Sequence, residues 1–416
     1  MKFTAEVLDH CRRQFPALSR RVGEFPAIYL DGPAGTQVPQ RVIDAMGDYL
    51  AHRNANHGGL FPTARESDQL LDEVQRAAAD FLGADDPDTV YFGQNMTSLT
   101  FALSRSLADT WQPDDEIIVT RLDHDANVTP WIMAARDVDA TVKTIDIRPD
   151  DCTLDLDQLR NTITPRTRLV AVGAASNATG GLNPVVDIIR WAHQAGALVF
   201  VDAVHYAPHR LIDVQALDCD FLACSAYKFF GPHTGLMWGR RELLESLKAY
   251  KVRPATNSLP GKWMTGTQSH ESLAGVSAAI EYLADLGRML AGNDSLDRRQ
   301  SLREAYVGIE QYERYLVERL LHGLQQMPEI KVWGITDTER LDQRVATICL
   351  THDRYNSAEL AERLGRQGVF AWHGNYYALQ LSEALGQEPA GMLRLGLLHY
   401  NSIGEVDRLL RVLEEV

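Results

Sequence analysis

The stretch TRLVAVGAASNATGGLNPVVDIIRWAHQAGALVFVDA, residues 167–203, decides the reading of the fold. It opens on an apolar β-rich run, passes through VVDIIRWAHQAG with apolar residues at helical spacing, and returns to a second β-rich run. Strand, helix, strand in so short a span is the unit from which parallel sheets are wound. Moving outward, the same rhythm recurs. TVYFG, EIIVT, TVKTIDI and DFLACSA are short β-rich runs, while VIDAMGDYLAHR, SDQLLDEVQRAAADFLGA and SLTFALSRSLA carry helical periodicity. The expected fold is α/β, with a large domain built on a mainly parallel sheet covered by helices.

Residues 252–275, VRPATNSLPGKWMTGTQSHESLAG, are rich in Pro, Gly, Ser and Thr and read as a connecting loop. A long helical region, roughly 273–328, follows it. The β-like runs VATICL and VFAWHGNYYAL then alternate with helices, which suits a smaller C-terminal α/β domain. The expected division is an N-terminal segment (1–20) packing on the small domain, a large domain (21–270), and the small domain with its connecting helix (271–416).

Bulk properties narrow the function. The chain has 416 residues, 45% apolar and 23% charged, with 41 basic and 56 acidic residues and a net charge of −15. That balance opposes binding to nucleic acid or anionic membranes and leaves small ligands open. No apolar run approaches the ~18–20 residues that span a bilayer. The N-terminal MKFTAEVLDHCRRQFPALSRR has no long apolar core, so a cytoplasmic location is expected. Five scattered cysteines without a CxxC pair suggest neither a disulfide framework nor a metal site.

In open α/β sheets, ligands gather beyond the carboxyl ends of the strands. After TVYFG come Asn95, Met96 and Thr97 at the start of a helix, where free N–H groups suit a phosphate or a simple cap. After EIIVT comes His124, after VAVGAAS comes Asn177, and after LVFV come Asp202 and His205. An acid ending an apolar strand is desolvated and needs a partner, preferably a cation. After DFLAC come Ser225 and Lys228, and a lysine in an enclosed site has a lowered pKa and a nucleophilic amine. A phosphate site, a buried acid, an aromatic ring and a sheltered lysine together match the needs of pyridoxal 5′-phosphate.

These motifs resemble a known family. YLDGPAGTQVPQRVIDA resembles the opening segment of the class V aminotransferases, in their cysteine desulfurase-like group, and QNMTSLTFA stands at the place of their phosphate loop. LDHDANVTPW is similar to their EHHANIVPW-like stretch, VDAVHYAPH to VDGAQ, and ALDCDFLACSAYKFFGP to the strand carrying their SGHK lysine motif. The resemblance implies a fold-type-I transferase architecture with Lys228 bearing the cofactor aldehyde and shuttling protons. It further implies Asp202 on the pyridine nitrogen, His124 on the ring, and His205 and Asn177 near the phenolic oxygen. His205 stands where the family has glutamine. Phosphate contacts are implied for Asn95, Met96, Thr97 and Ser225, with Tyr227 as a further cofactor contact where the family has histidine. Gly266 and Thr267 would reach the neighbouring subunit's phosphate, which implies a homodimer. MLRLGLLHYNSIGEVDRLL places Arg394 as the clamp for the α-carboxylate of an amino-acid-like substrate, and His57 would face the same space.

One segment departs from the family. Its desulfurases carry a cysteine in a setting like RTGHHC, whereas this chain has VFAWHGNYYALQL, with no thiol between Val369 and Met392. Aligned on Gly374, Tyr377 stands near the cysteine's place, and Tyr377 or His373 becomes a candidate substrate wall or acid/base group. Cys224 and Cys349 read as packing. The expected activity is pyridoxal-phosphate chemistry at the Cα or Cβ of an amino acid without a protein persulfide. Elimination, epimerisation, transamination, carbon-bond formation and a non-catalytic cofactor-binding role stay open.

Overall fold

The computed structural model describes residues 3–415. Its core is a seven-stranded sheet made of β1 (Val90–Gly93), β2 (Glu116–Thr120), β3 (Thr141–Ile145), β4 (Thr167–Gly173), β5 (Leu198–Asp202), β6 (Phe221–Ser225) and β7 (Gly235–Gly239), in the order β1-β7-β6-β5-β4-β2-β3. The pairs β2/β3, β2/β4, β4/β5 and β5/β6 are parallel, and β7 runs antiparallel to both of its neighbours. The mainly parallel sheet expected from residues 167–203 is therefore present, with one reversed strand inserted. Strands β2, β6 and β7 are buried along their whole length, as a sheet covered on both faces requires.

A second sheet follows. Its strands β8 (Ile330–Trp333), β9 (Thr347–His352), β10 (Trp372–Gly374) and β11 (Met392–Gly396) lie in the order β8-β9-β11-β10, all antiparallel. The two sheets meet through the segment after Tyr29. Leu30 O accepts from Gly396 N at 2.8 Å, and a Cβ on Gly396 would collide with the ring of Pro33. That close approach brings the end of β11 beside the carboxyl ends of the large sheet.

Two helical expectations are corrected. The single helical region at 273–328 is two helices, His270–Ala291 and Arg298–Leu324, separated where Gly292 adopts the left-handed conformation (φ +62°). The first begins inside the expected loop, so irregular chain ends at Ser269. Near the N-terminus, the helix Ala5–Arg13 pairs Arg12 with Glu405 at 2.9 Å, and Phe3 stacks on Tyr312. No helix among the described residues is long and apolar enough to cross a membrane.

Candidate active site

Five strands of the large sheet, β1, β2, β4, β5 and β6, deliver the residues at or just beyond their C-terminal ends to one cavity. Asn95, Met96, Thr97, His124, Asn177, Asp202, His205, Ser225, Tyr227 and Lys228 all line it. Ten positions spread over 134 residues of chain converge because parallel strands all end on the same side.

The floor is Lys228. Its Nζ donates to Ala34 O at 3.1 Å and to Pro33 O, and lies 4.7 Å from the Tyr227 ring centre. Burial, with Arg394 nearby and Asp202 opposing, pushes its pKa down to about 7. An amine so placed is largely deprotonated in mildly alkaline solution, as a nucleophile must be. Asp202 ends β5; Val204 N donates to its Oδ1 at 2.8 Å, and burial raises its carboxyl to about 6 despite that bond and Lys228.

His124 accepts a hydrogen bond from Ala126 N at Nδ1 (3.0 Å), which leaves the proton of the neutral ring on Nε2. Burial and the cations Lys228 and Arg394 lower its pKa to about 4, so the flat neutral ring is the form present at neutral pH. Asn95 caps the helix Met96–Ala108 by accepting from Ser98 N at 2.9 Å. Its side-chain oxygen thus serves the cap, while Met96 N–H donates to Ser225 Oγ at 3.0 Å. With the Met96 N–H spent on it, the Ser225 hydroxyl still has its own proton to give, and at this helix N-terminus it forms a cradle for an anionic group.

The second sheet and the loop after β10 reach the cavity through their contacts with Asn177 and His124. Arg394 on β11 donates through Nη1 to Asn177 O at 2.8 Å, lies 4.2 Å over the Tyr376 ring, and keeps a buried Nε without a hydrogen-bond partner. Asn177 donates to Tyr376 O at 2.9 Å and likewise keeps a buried, unpartnered Oδ1. Buried polar atoms without partners at a cavity wall are places for a ligand to bond. Tyr377 stacks on His124 with ring centres 5.4 Å apart, and its carbonyl accepts from Asp125 N at 2.7 Å. The ring stands 72% exposed at the mouth.

Other expected residues lie elsewhere in this chain. His57 is exposed beside Asp68 and the ring of His270. His373 is exposed on β10, Thr267 lines a separate groove with His233 and Trp263, and Gly266 lies in the adjoining loop. Asp123, which sequence reasoning passed over, lines the cavity. It accepts from Gly173 N at 2.8 Å and Asn127 Nδ2 at 3.2 Å, and burial with Asp202 nearby raises it to about 8. It stands three residues past the apolar run EIIVT and one before His124, and nothing in the sequence says which of those two turns inward.

Pyridoxal 5′-phosphate fits this donor set: an amine, an acid, a neutral ring, an N-terminal cradle and two unpartnered polar atoms. The comparisons agree. A family model for aminotransferase class-V matches residues 28–409. A cysteine desulfurase of Enterobacter sp. is 32% identical over 424 residues, covering 98% of each chain. One of Cronobacter sakazakii is 31% identical over 417 residues, 97% of this chain and 96% of the relative. Among solved structures, a cysteine desulfurase from Escherichia coli matches with a TM-score of 0.83 at 28% identity, covering 98% of both chains. One from Thermococcus onnurineus gives 0.87 at 24% identity over 98% of this chain and 97% of that one, a likeness of fold. With the family model spanning almost all of both sheets, this chain belongs to the class V aminotransferases and is a pyridoxal-phosphate-dependent enzyme.

Proposed function

We propose that this enzyme breaks bonds at the Cα or Cβ of an amino-acid substrate and does so without storing sulfur as a protein persulfide. The observation that carries this reading is the set of thiols. None lies between Val369 and Met392, and all five cysteines are buried. Burial raises the pKa of each, to about 11 for Cys152 and about 12 for Cys11 and Cys349, and further for Cys219 and Cys224. A thiol that is neither exposed nor ionised is a poor nucleophile toward sulfur.

The cofactor, when bound, draws electrons from the substrate Cα and weakens its bonds. The chain's own residues do the rest. Arg394 takes the substrate carboxylate with a planar fork already oriented by Asn177 O and the Tyr376 ring. Lys228, neutral above about pH 7, takes and returns the Cα proton. Asp202 supplies negative charge at the cavity's far end, and His124 covers a flat face. Tyr377 over the mouth limits water and shapes the space open to the substrate side chain. The enzyme works as a homodimer, in which Gly266 and Thr267 of each chain serve the neighbouring site. Their distance from their own Lys228 cavity supports this reading.

The test is a screen of amino acids for exchange of the Cα proton with deuterium, with product analysis and thiol-persulfide labelling. We expect visible absorbance of the lysine-bound cofactor, lost in Lys228→Ala together with the exchange, and no labelled persulfide. A persulfide found on Cys224 or Cys349 during turnover overturns the reading.

A further inference from the structure

Behind His205 lies a group of buried charges that the chemistry above does not use. The rings of His205 and His209 meet edge to face, with centres 5.3 Å apart and planes inclined by 70°. His209 Nδ1 then bonds Glu313 Oε2 at 2.7 Å, and both side chains are almost fully buried. Glu313 is carried by the helix Arg298–Leu324, so the array ties that helix to the cavity wall. His205 itself is held by Thr347 Oγ1 at 3.0 Å from its Nε2.

A buried ion pair rarely adds stability over an apolar pair of similar size, because desolvation offsets its attraction. Its presence here therefore asks for another role. Glu313 keeps one oxygen, Oε1, buried and without a hydrogen-bond partner. It faces a small second cavity, also lined by Arg210, Arg314, Arg344 and Glu310. Arg210 pairs with Glu310 and also attracts the Glu313 carboxylate, and the Arg344 guanidinium is spent on the carbonyls of Thr179, Ile335 and Thr347. His399 nearby is engaged by the Tyr282 hydroxyl at 2.6 Å, and Tyr306 donates to Ala207 O. On the cavity side, His205 meets the charges of Lys228 and Arg394.

We propose that His209 and Glu313 are positioning residues of the active site, holding one proton between them behind His205 and so setting the field that His205 and Lys228 experience. In this dry interior the pair acts as a fixed dipole with its positive end at His209, toward the cavity. It disfavours positive charge on Lys228 and on His205, and so keeps the His205 ring neutral. Burial raises the Glu313 carboxyl, and His209 and Arg210 oppose the rise.

This inference rests on Lys228 holding the cofactor, and the test separates the two. The holoenzyme's visible band is titrated with pH in wild type, Glu313→Gln, Glu313→Asp and His209→Gln. Glutamine at 313 breaks the His209–Glu313 ion pair, so the dipole vanishes and the midpoint rises, by about half a pH unit or more. His209→Gln gives a rise in the same direction, and Glu313→Asp restores most of the wild-type midpoint. Adding His205→Gln to Glu313→Gln gives a smaller shift than Glu313→Gln alone. Nitrogen-15 NMR of labelled histidine in the cofactor-free protein reads His209 directly and shows its Nδ1 signal moved in Glu313→Gln. A folded Glu313→Gln or His209→Gln protein with an unmoved midpoint overturns the proposal. A wild type whose band survives Lys228→Ala removes its foundation and overturns it as well.

Discussion

Lys228 has a measurable signature even without substrate. Its usual pKa of 10.5 falls to about 7 in the folded chain, so unfolded molecules bind a proton that folded ones shed. The cost to stability is full below pH 7 and fades as pH rises toward 10.5. In cofactor-free protein, Lys228→Met should therefore be stabilised relative to wild type at pH 7, with the gap in Tm closing between pH 7 and 10.5. A gap independent of pH would contradict the buried, deprotonated amine. At this scale most of the site was legible, because Lys228, Asp202 and His124 each follow an apolar strand in which a charged or polar group stands out. Asp123 was not, since adjacent residues after one strand face different ways and sequence does not say which one turns inward. His57 shows the converse: a suggestive motif fixes neither where its loop goes nor what it faces.

Among elements, the crossing of His270–Ala291 with Arg298–Leu324 depends on Gly287. A Cβ there would collide with the Ser301 carbonyl, and backbone cannot yield as a side chain does. Gly287→Ala should destabilise the protein by about 1–3 kcal/mol or more in denaturant titration, although alanine is the better helix former. The break between these helices was readable in Gly292-Asn293-Asp294-Ser295, a glycine stop followed by capping residues, yet continuous periodicity on both sides masked it. The strands β7, GLMWG, and β8, IKVW, were also passed over. Each is as short as the strands that were read, but no α-helix joins β7 to the strand before it, or β8 to the strand after it, to complete a recognisable unit. The parallel strands were legible because each is flanked by a helix that completes the repeating unit.

For the whole molecule, the separation of Gly266 and Thr267 from their own Lys228 cavity makes assembly part of the proposed chemistry. Light scattering should give twice the mass of one chain, and Thr267→Val should hasten loss of the cofactor on dilution without changing that mass. A monomer that retains the cofactor would exclude the shared site. No regularity of a single chain encodes which loop crosses to a neighbour, so only the resemblance made this expectation available. The five buried thiols carry a different consequence. Because folding hides every one of them, a thiol-reactive dye has nothing to find on intact molecules and five targets on each one that opens. The chain thus contains its own clock for unfolding, with colour released at the rate at which molecules come apart, and no label need be added to read it.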